Sequence, residues 1–513
     1  MPAKRARLAQ ATSLLAVLAS GALAEEPLSA IDWLTDPVEA PLIDPDRLSE
    51  PPVTESATTP DVAVAPLGEV QNDAVGLLSS KVTGLPPDLW AYSQTDSLQE
   101  LIRAQKLTAL PAMQSLFYTL LLAEAEAPAD ATDQSLLLQA RLDALLSLGA
   151  VEAVQALLDR TGADEKPLFA RWFDATLLTG DENLACAKLM RAPHLAPSYA
   201  ARVFCTARTG DWSTAALTLG TGKALGLVSD QEMALLQLFL DPELFEGEPL
   251  PHPPVRPSPL VFRLREAVGE SLPTAPLPRA FAVADLRGTV GWKAKIEAAE
   301  RLAQTGSLAP NRLLGIYSER LPAASGGIWD RIDAVQRFDI ALKARDGNAV
   351  ARTLPKAFTA MKVARLEVPF AKLYAEDLMT LPLTGEAAAL AYHVALLSPL
   401  YEQAAQKLGP GLPDQAFLTA LAVGEPGAVQ TSDPRQRAVV EGFADLALPA
   451  QFEPDMSERR LGEVILRAML LYQRAIAGEL HELPKALATF RALGLEDTAR
   501  QAALQALLLQ RGS

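Results

Sequence analysis

Apolar residues recur along this chain at intervals of three and four, in stretches that each stop at Gly or Pro. Leu98, Leu101, Ile102 and Leu110 share one helical face, and Leu136, Leu137, Leu142, Leu145, Leu146 and Leu148 repeat the pattern. That spacing is one face of a 3.6-residue helix, and the Gly and Pro residues are its natural stops. The stops resemble one another. Ser147-Leu148-Gly149-Ala150-Val151-Glu152-Ala153 is followed by Thr179-Gly180-Asp181-Glu182-Asn183-Leu184-Ala185, then by Thr209-Gly210-Asp211-Trp212-Ser213-Thr214-Ala215. In each, Gly suits the left-handed residue that ends one helix, and a short polar step caps the next. A second series, Gly306, Gly347, Gly385 and Gly424, runs at wider spacing, and Gly494-Leu495-Glu496-Asp497-Thr498-Ala499 closes it. Self-similar units of roughly 30 to 40 residues predict an all-α fold, an α-solenoid of degenerate helix-turn-helix repeats. The alternative is an irregular helical domain whose helix ends coincide.

The pattern also divides the chain. Residues 1–24 read as a secretory signal: Lys4, Arg5 and Arg7, an apolar stretch from Leu8 to Leu18, then Ala22-Leu23-Ala24 before Glu25. Residues 25–84 read as a disordered, acidic, Pro-rich arm, with twelve acidic and two basic residues between Glu25 and Lys81. Two apolar islands interrupt the arm. Ile31, Trp33 and Leu34 form a candidate docking motif, and Ala74-Val75-Gly76-Leu77-Leu78 is the second island; the alternative is that both fold back on the chain's own helices. Helical patterning fills 85–247 and 260–513, expected as two lobes. Between them, 248–259 holds Pro249, Pro251, Pro253, Pro254, Pro257 and Pro259, and reads as an extended linker or a strap.

Composition supports helix and restricts function. Ala and Leu abound, aromatics are 6%, and the 513 residues are too many for one small domain. A net charge of −16, near −19 once the signal's three cations are removed, disfavours nucleic acid and anionic lipid as partners. Past the signal no segment is long and apolar enough to span a bilayer, so no membrane insertion is expected after cleavage. In an exported chain the only two cysteines, Cys186 and Cys205, either bridge and staple one helical hairpin or stay as buried thiols.

Fragments that imitate active sites fail on inspection. Gly220-Thr221-Gly222-Lys223 lacks the earlier Gly and the later hydroxyl of a phosphate loop. His481-Glu482-Leu483-Pro484 lacks the second His of a zinc protease, and His194, His252 and His393 stand elsewhere without ligand spacing. We therefore expect no catalytic residue, no cofactor and no metal. Trp172, in Arg171-Trp172-Phe173, and Tyr317 are candidates to line a groove, against the alternative that both are core.

The Gly-Asp turns and Ala-containing second helices resemble tetratricopeptide-type repeats across roughly residues 90–510. The fixed Trp, Leu-Gly, Tyr, Ala and Pro offsets of that family are not kept. Phe169-Ala170-Arg171-Trp172-Phe173-Asp174, Phe239 to Gly247 and Gly291 to Leu302 resemble an exported α-proteobacterial helical family. That resemblance implies the periplasm and supplies no catalytic residues. The expected function is a periplasmic, non-catalytic scaffold or assembly factor for a partner protein, with envelope or flagellar-motor assemblies as clients by analogy alone. The alternatives are a lipid or small-molecule carrier and a helical-toroid enzyme acting on cell-wall glycan.

Overall fold

The computed structural model describes residues 71–509, apart from 108, 109, 246, 248 and 249. The signal, most of the arm, and Ile31, Trp33 and Leu34 lie outside the described residues.

The described chain enters through a 3-10 turn, Asn72–Ala74, and helices α1 (Ser80–Thr83), α2 (Thr95–Ala104), α3 (Pro111–Leu122), α4 (Leu136–Leu148) and α5 (Val151–Thr161). Next come α6 (Lys166–Thr179), α7 (Glu182–Arg191), α8 (Tyr199–Arg208), α9 (Trp212–Ala224), α10 (Asp230–Leu240) and α11 (Pro259–Ala267). A 3-10 run, Arg279–Leu286, precedes α12 (Trp292–Ala303), α13 (Pro310–Tyr317), α14 (Ile328–Lys343), α15 (Gly347–Val363) and α16 (Glu367–Leu378). The chain continues through α17 (Gly385–Leu396), α18 (Tyr401–Leu408), α19 (Ala416–Ala422), α20 (Pro434–Ala444) and α21 (Glu453–Ser457). It closes with α22 (Leu461–Ile476), α23 (Leu483–Ala492) and α24 (Glu496–Leu508).

The fold is all-α, as the periodicity predicts. Successive helices pack as neighbours, among them α5 with α6, α8 with α9, α14 with α15, and α22 with α23. Among the described residues the extended pairing is a single isolated bridge, Leu78 with Ala123. The repeated turn has the expected chemistry: Gly149, Gly180 and Gly210 take φ of 83°, 95° and 93°, where a side chain would be strained. Asp211 caps α9 through the Thr214 amide at 3.1 Å, and Asp346 caps α15 through the Ala349 amide at 3.0 Å. Gly347 departs from the series: it opens α15, and Arg345 takes the left-handed turn with φ 54°.

There are two hydrophobic cores, but they do not divide at 248–259. The larger joins residues 85–178 to residues 262–509, and the smaller holds residues 169–264. The dividing wall is α6, which is apolar on opposite sides. Leu168, Ala175 and Leu178 enter the larger core, while Phe169, Phe173 and Leu177 enter the smaller. Helix α11 behaves similarly, giving Phe262 to one and Leu260, Val261 and Leu264 to the other. The described part of the Pro-rich segment, 250–258, is a strap on the smaller core: Leu250 packs against it, and the buried Arg265 of α11 donates to the Pro251 carbonyl.

The larger core is discontinuous because the first helices lie against the last. α2 packs on α22, and α3 on α24. Polar bonds stitch the junction. Ser97 donates to Glu463 at 2.9 Å, Gln105 to the Leu466 carbonyl at 3.0 Å, and the Ala112 amide to Gln505 at 2.8 Å.

The expected arm boundary at residue 84 also moves. Residues 72–78 are part of the folded chain, with Asp73 and Val75 buried. Their anchor is Arg141 of α4, fully buried, whose guanidinium donates to four carbonyls: Leu121 (2.8 Å), Asp73 (3.1 Å), Val75 (2.8 Å) and Ala123 (3.0 Å). The second apolar island therefore folds back.

Candidate functional site

Cys186 of α7 and Cys205 of α8 form a disulfide with Cα atoms 4.8 Å apart. Both are buried in the smaller core, on helices that double back around a 3-10 turn at Pro193–Leu195. The bridge staples that hairpin.

The two groove candidates are not brought together. Tyr317 is 1% exposed, and its hydroxyl donates to Glu300 at 2.6 Å. Glu300 in turn accepts both arms of the Arg331 guanidinium, at 2.7 and 2.8 Å. Burial, followed by the Glu300 charge, pushes the tyrosine well above its ordinary range. Tyr317 is a core residue and lines no groove, because its ring completes the inner face of α13. Trp172 is half-buried at the wall between the cores, touching both. Its Nε1 donates to Asp159 at 3.0 Å and Lys188 sits 5.8 Å from its ring.

A line of charge runs from the start of α7 to α11 and on to Arg287, buried at Glu182 and half-buried at Arg263, Glu266 and Arg287. Glu182, 1% exposed, accepts from Arg263 at 2.7 Å and pairs with Arg208 at 3.3 Å. Arg263 pairs with Glu266, which takes Arg287 on both oxygens at 2.9 and 3.0 Å. Burial pushes the Glu266 carboxyl up, and hydrogen bonds from Arg287 and Arg263 outweigh that and hold it below its usual range. The line ends at a cavity of about 640 Å³ bordered by Phe262, Glu266, Asp285, Arg287, Glu297 and Arg301. Burial raises the Asp285 carboxyl there, although it accepts a bond from Thr274. Asp174 of α6 shows a larger rise, to about 7, caused by burial, against which the nearby Arg171 charge works. Asp174 has no hydrogen-bond or ion-pair partner among the described residues, and Arg171 is engaged by Asp143 at 2.7 Å.

The fragments that imitated active sites have plain locations. Gly220-Thr221-Gly222-Lys223 is the interior and last turn of α9, with no loop to cradle a phosphate. His481 lies beside Glu479 and Glu482, with ligand atoms within 4.8 Å of one another. Those carboxylates already pair with Arg474, at 3.9 Å each, and Glu482 with Lys485 at 3.4 Å.

The surface feature that stands out is α9. It packs on α8 and α10 through Ala215, Leu219 and Gly222. Its other side is open: Trp212 is 49% exposed, Leu217 73% and Leu225 63%. Ala216, Gly220 and Ala224 are exposed with them, and Lys223 is the single charge between Trp212 and Ala224. Ser213, Thr214 and Thr221 share that open side, so its exposed apolar groups are interleaved with hydroxyls but with little charge. Among the described residues no helix is long and apolar enough to cross a membrane. No family model, curated protein or solved structure matches this chain.

Proposed function

We propose that this protein is a non-catalytic scaffold or assembly factor of the bacterial periplasm that holds a partner protein against its helical surface. The observation that carries the reading is α9, an almost uncharged helix that leaves Trp212, Leu217 and the following Leu225 open on a chain of net −16. Exposed apolar area of this kind marks interaction surfaces, and stacked helical hairpins are a common support for them. The signal-like residues 1–24 and the Cys186–Cys205 bridge support an oxidising, exported setting. Envelope or flagellar-motor assemblies are client classes by analogy of architecture.

The test is a photo-crosslinking residue placed at Leu217 in cells, with mass spectrometry of the adduct and a Lys293 probe as the control site. One dominant protein adduct at Leu217, absent from the control, supports the scaffold. Recovery of lipid or glycan alone would move the reading to a carrier or to a glycan enzyme.

The carrier is favoured by one observation, the cavity of about 640 Å³ bordered by α11, the Arg279–Leu286 run and α12, within the size range of small-molecule sites. Native mass spectrometry of the exported chain separates it from the scaffold. A bound small molecule lost in Phe262→Arg would establish the carrier.

A further inference from the structure

The stretch 345–366 carries five cations, Arg345, Arg352, Lys356, Lys362 and Arg365, and one acid, Asp346. That is a local charge of +4 in a chain of net −16. Arg352, Pro355, Lys356, Thr359, Lys362 and Val363 are all exposed. At steps of three and four they form one outward stripe of α15. Among the described residues Arg352, Lys356 and Lys362 enter no ion pair, whereas neighbouring Lys343 pairs with Asp339 at 2.7 Å and Arg337 with Asp333 at 2.8 Å.

The stripe borders a groove of about 710 Å³ between α14 and α15. Ala334, Pro355, Ala360 and Val363 give it apolar walls, Thr359 adds a hydroxyl, and Lys356 and Arg337 stand over it. Val363 is 76% exposed, so the groove's apolar end is uncovered. The α14 wall also carries Asp333, satisfied by Arg337, and Asp330, which accepts from the Gly326 amide at 2.9 Å.

We propose that the α14–α15 groove docks an acidic peptide segment of a partner protein, one that places small aliphatic side chains between Asp or Glu residues. The apolar walls take the aliphatic groups, and Lys356, with Arg352 and Lys362 on the same stripe, meets the carboxylates. A cationic stripe with no partner of its own on an acidic protein gives the charge complementarity that selects such a segment over other peptides. An anionic lipid surface fits less well. The cations run along one helix about 25 Å long, a narrow stripe beside a concave groove, whereas a lipid surface is met by a broad basic face. The inference takes from the scaffold reading only that the ligand is a protein, and it uses a different surface from α9.

The test is fluorescence anisotropy of the exported chain with a labelled twelve-residue peptide of Glu, Asp, Ala and two Leu. The controls are the same peptide with Ser for Leu, and vesicles with about one third anionic phospholipid. The expected result is saturable binding that weakens as salt rises, is about tenfold weaker in the Arg352→Glu/Lys356→Glu variant and in Val363→Asp, and is unchanged in Leu217→Asp. These positions are exposed, and circular dichroism confirms that each variant is folded. Binding undiminished by the charge reversal, equal binding of the Ser peptide, uptake by vesicles in place of peptide, or no binding would each overturn the proposal. Loss of the Leu217 crosslink with retained peptide binding would fail the α9 reading alone.

Discussion

Arg141, fully buried, and Asp174, half-buried, behave in opposite ways at the residue scale. Arg141 gains four carbonyl acceptors and the nearby Asp73 carboxylate, so its burial is compensated; burial still pulls the guanidinium down to about 10. Removing it takes the guanidinium from those four carbonyls and leaves the buried Asp73 carboxylate with the Leu138 amide but no cation. We expect Arg141→Met to cost about 3–5 kcal/mol, read as a lower midpoint in urea denaturation, and to expose residues 72–78 to proteolysis. Asp174 has no such compensation. Its native carboxyl keeps its proton up to about pH 7, while the unfolded group releases it near 3.8. The native state therefore binds more protons across that interval. This contribution to stability is full below about pH 4, falls as pH rises to 7, and stays lowered above. Asp174→Asn is expected to melt above the parent at pH 8, by about 1–2 kcal/mol after allowing for the group's partial exposure. The two melting temperatures should converge below pH 4, and equal melting at pH 8 would refute the assignment.

The elements show why helices of similar composition take different places. α6 is apolar on two sides and becomes a wall shared by two cores; α9 buries one side through Ala215, Leu219 and Gly222 and leaves Leu217 and Ala224 open among hydroxyls. The α7–α8 hairpin belongs to the smaller core, and its bridge closes a loop of 19 residues. Such a loop stabilises by about 3 kcal/mol through the entropy of the unfolded chain. We expect Cys186→Ser/Cys205→Ser to lower the melting temperature of the smaller core while helix content in the larger core persists. A single coincident transition in circular dichroism and intrinsic Trp fluorescence would show instead that α6 couples the two cores completely.

The whole molecule is held by contacts between the beginning and end of the described chain. Gly462 of α22 lies against Trp90 so closely that an added Cβ would stand 2.4 Å from its ring and 2.9 Å from the Leu89 carbonyl. Asp88 pairs with Arg459 at 2.6 Å beside it, and the same guanidinium lies 4.1 Å from the Tyr92 ring centre. Gly462→Ala is expected to destabilise by about 1–3 kcal/mol through overpacking, measured by denaturant titration. Deletion of residues 461–509 should remove the partner surface of α2 and α3, and hydrogen exchange in Thr95–Leu122 would rise with it. Unchanged exchange there would show that the first helices stand without the last.

The sequence by itself determined the helices, because the three-and-four spacing of Leu and Ala and the Gly-Asp turns are local signals, each acting within a few residues. It narrowed Cys186 and Cys205 to one hairpin for the same reason. The cationic stripe of α15 is different: the sequence holds its residues, but only the structure puts them on one open face without ion pairs. What only the tertiary structure decided depends on residues far apart in the chain. The two-sided use of α6, the strap in place of a linker, the four carbonyls around Arg141, and the seating of Gly462 on Trp90 all follow from which helix lies beside which. Tyr317 could equally have lined a groove or filled a core, since one helical face serves both until a neighbour such as Glu300 claims it. Periodicity fixes that a face is buried; the partner that buries it is chosen by the sum of long-range packing.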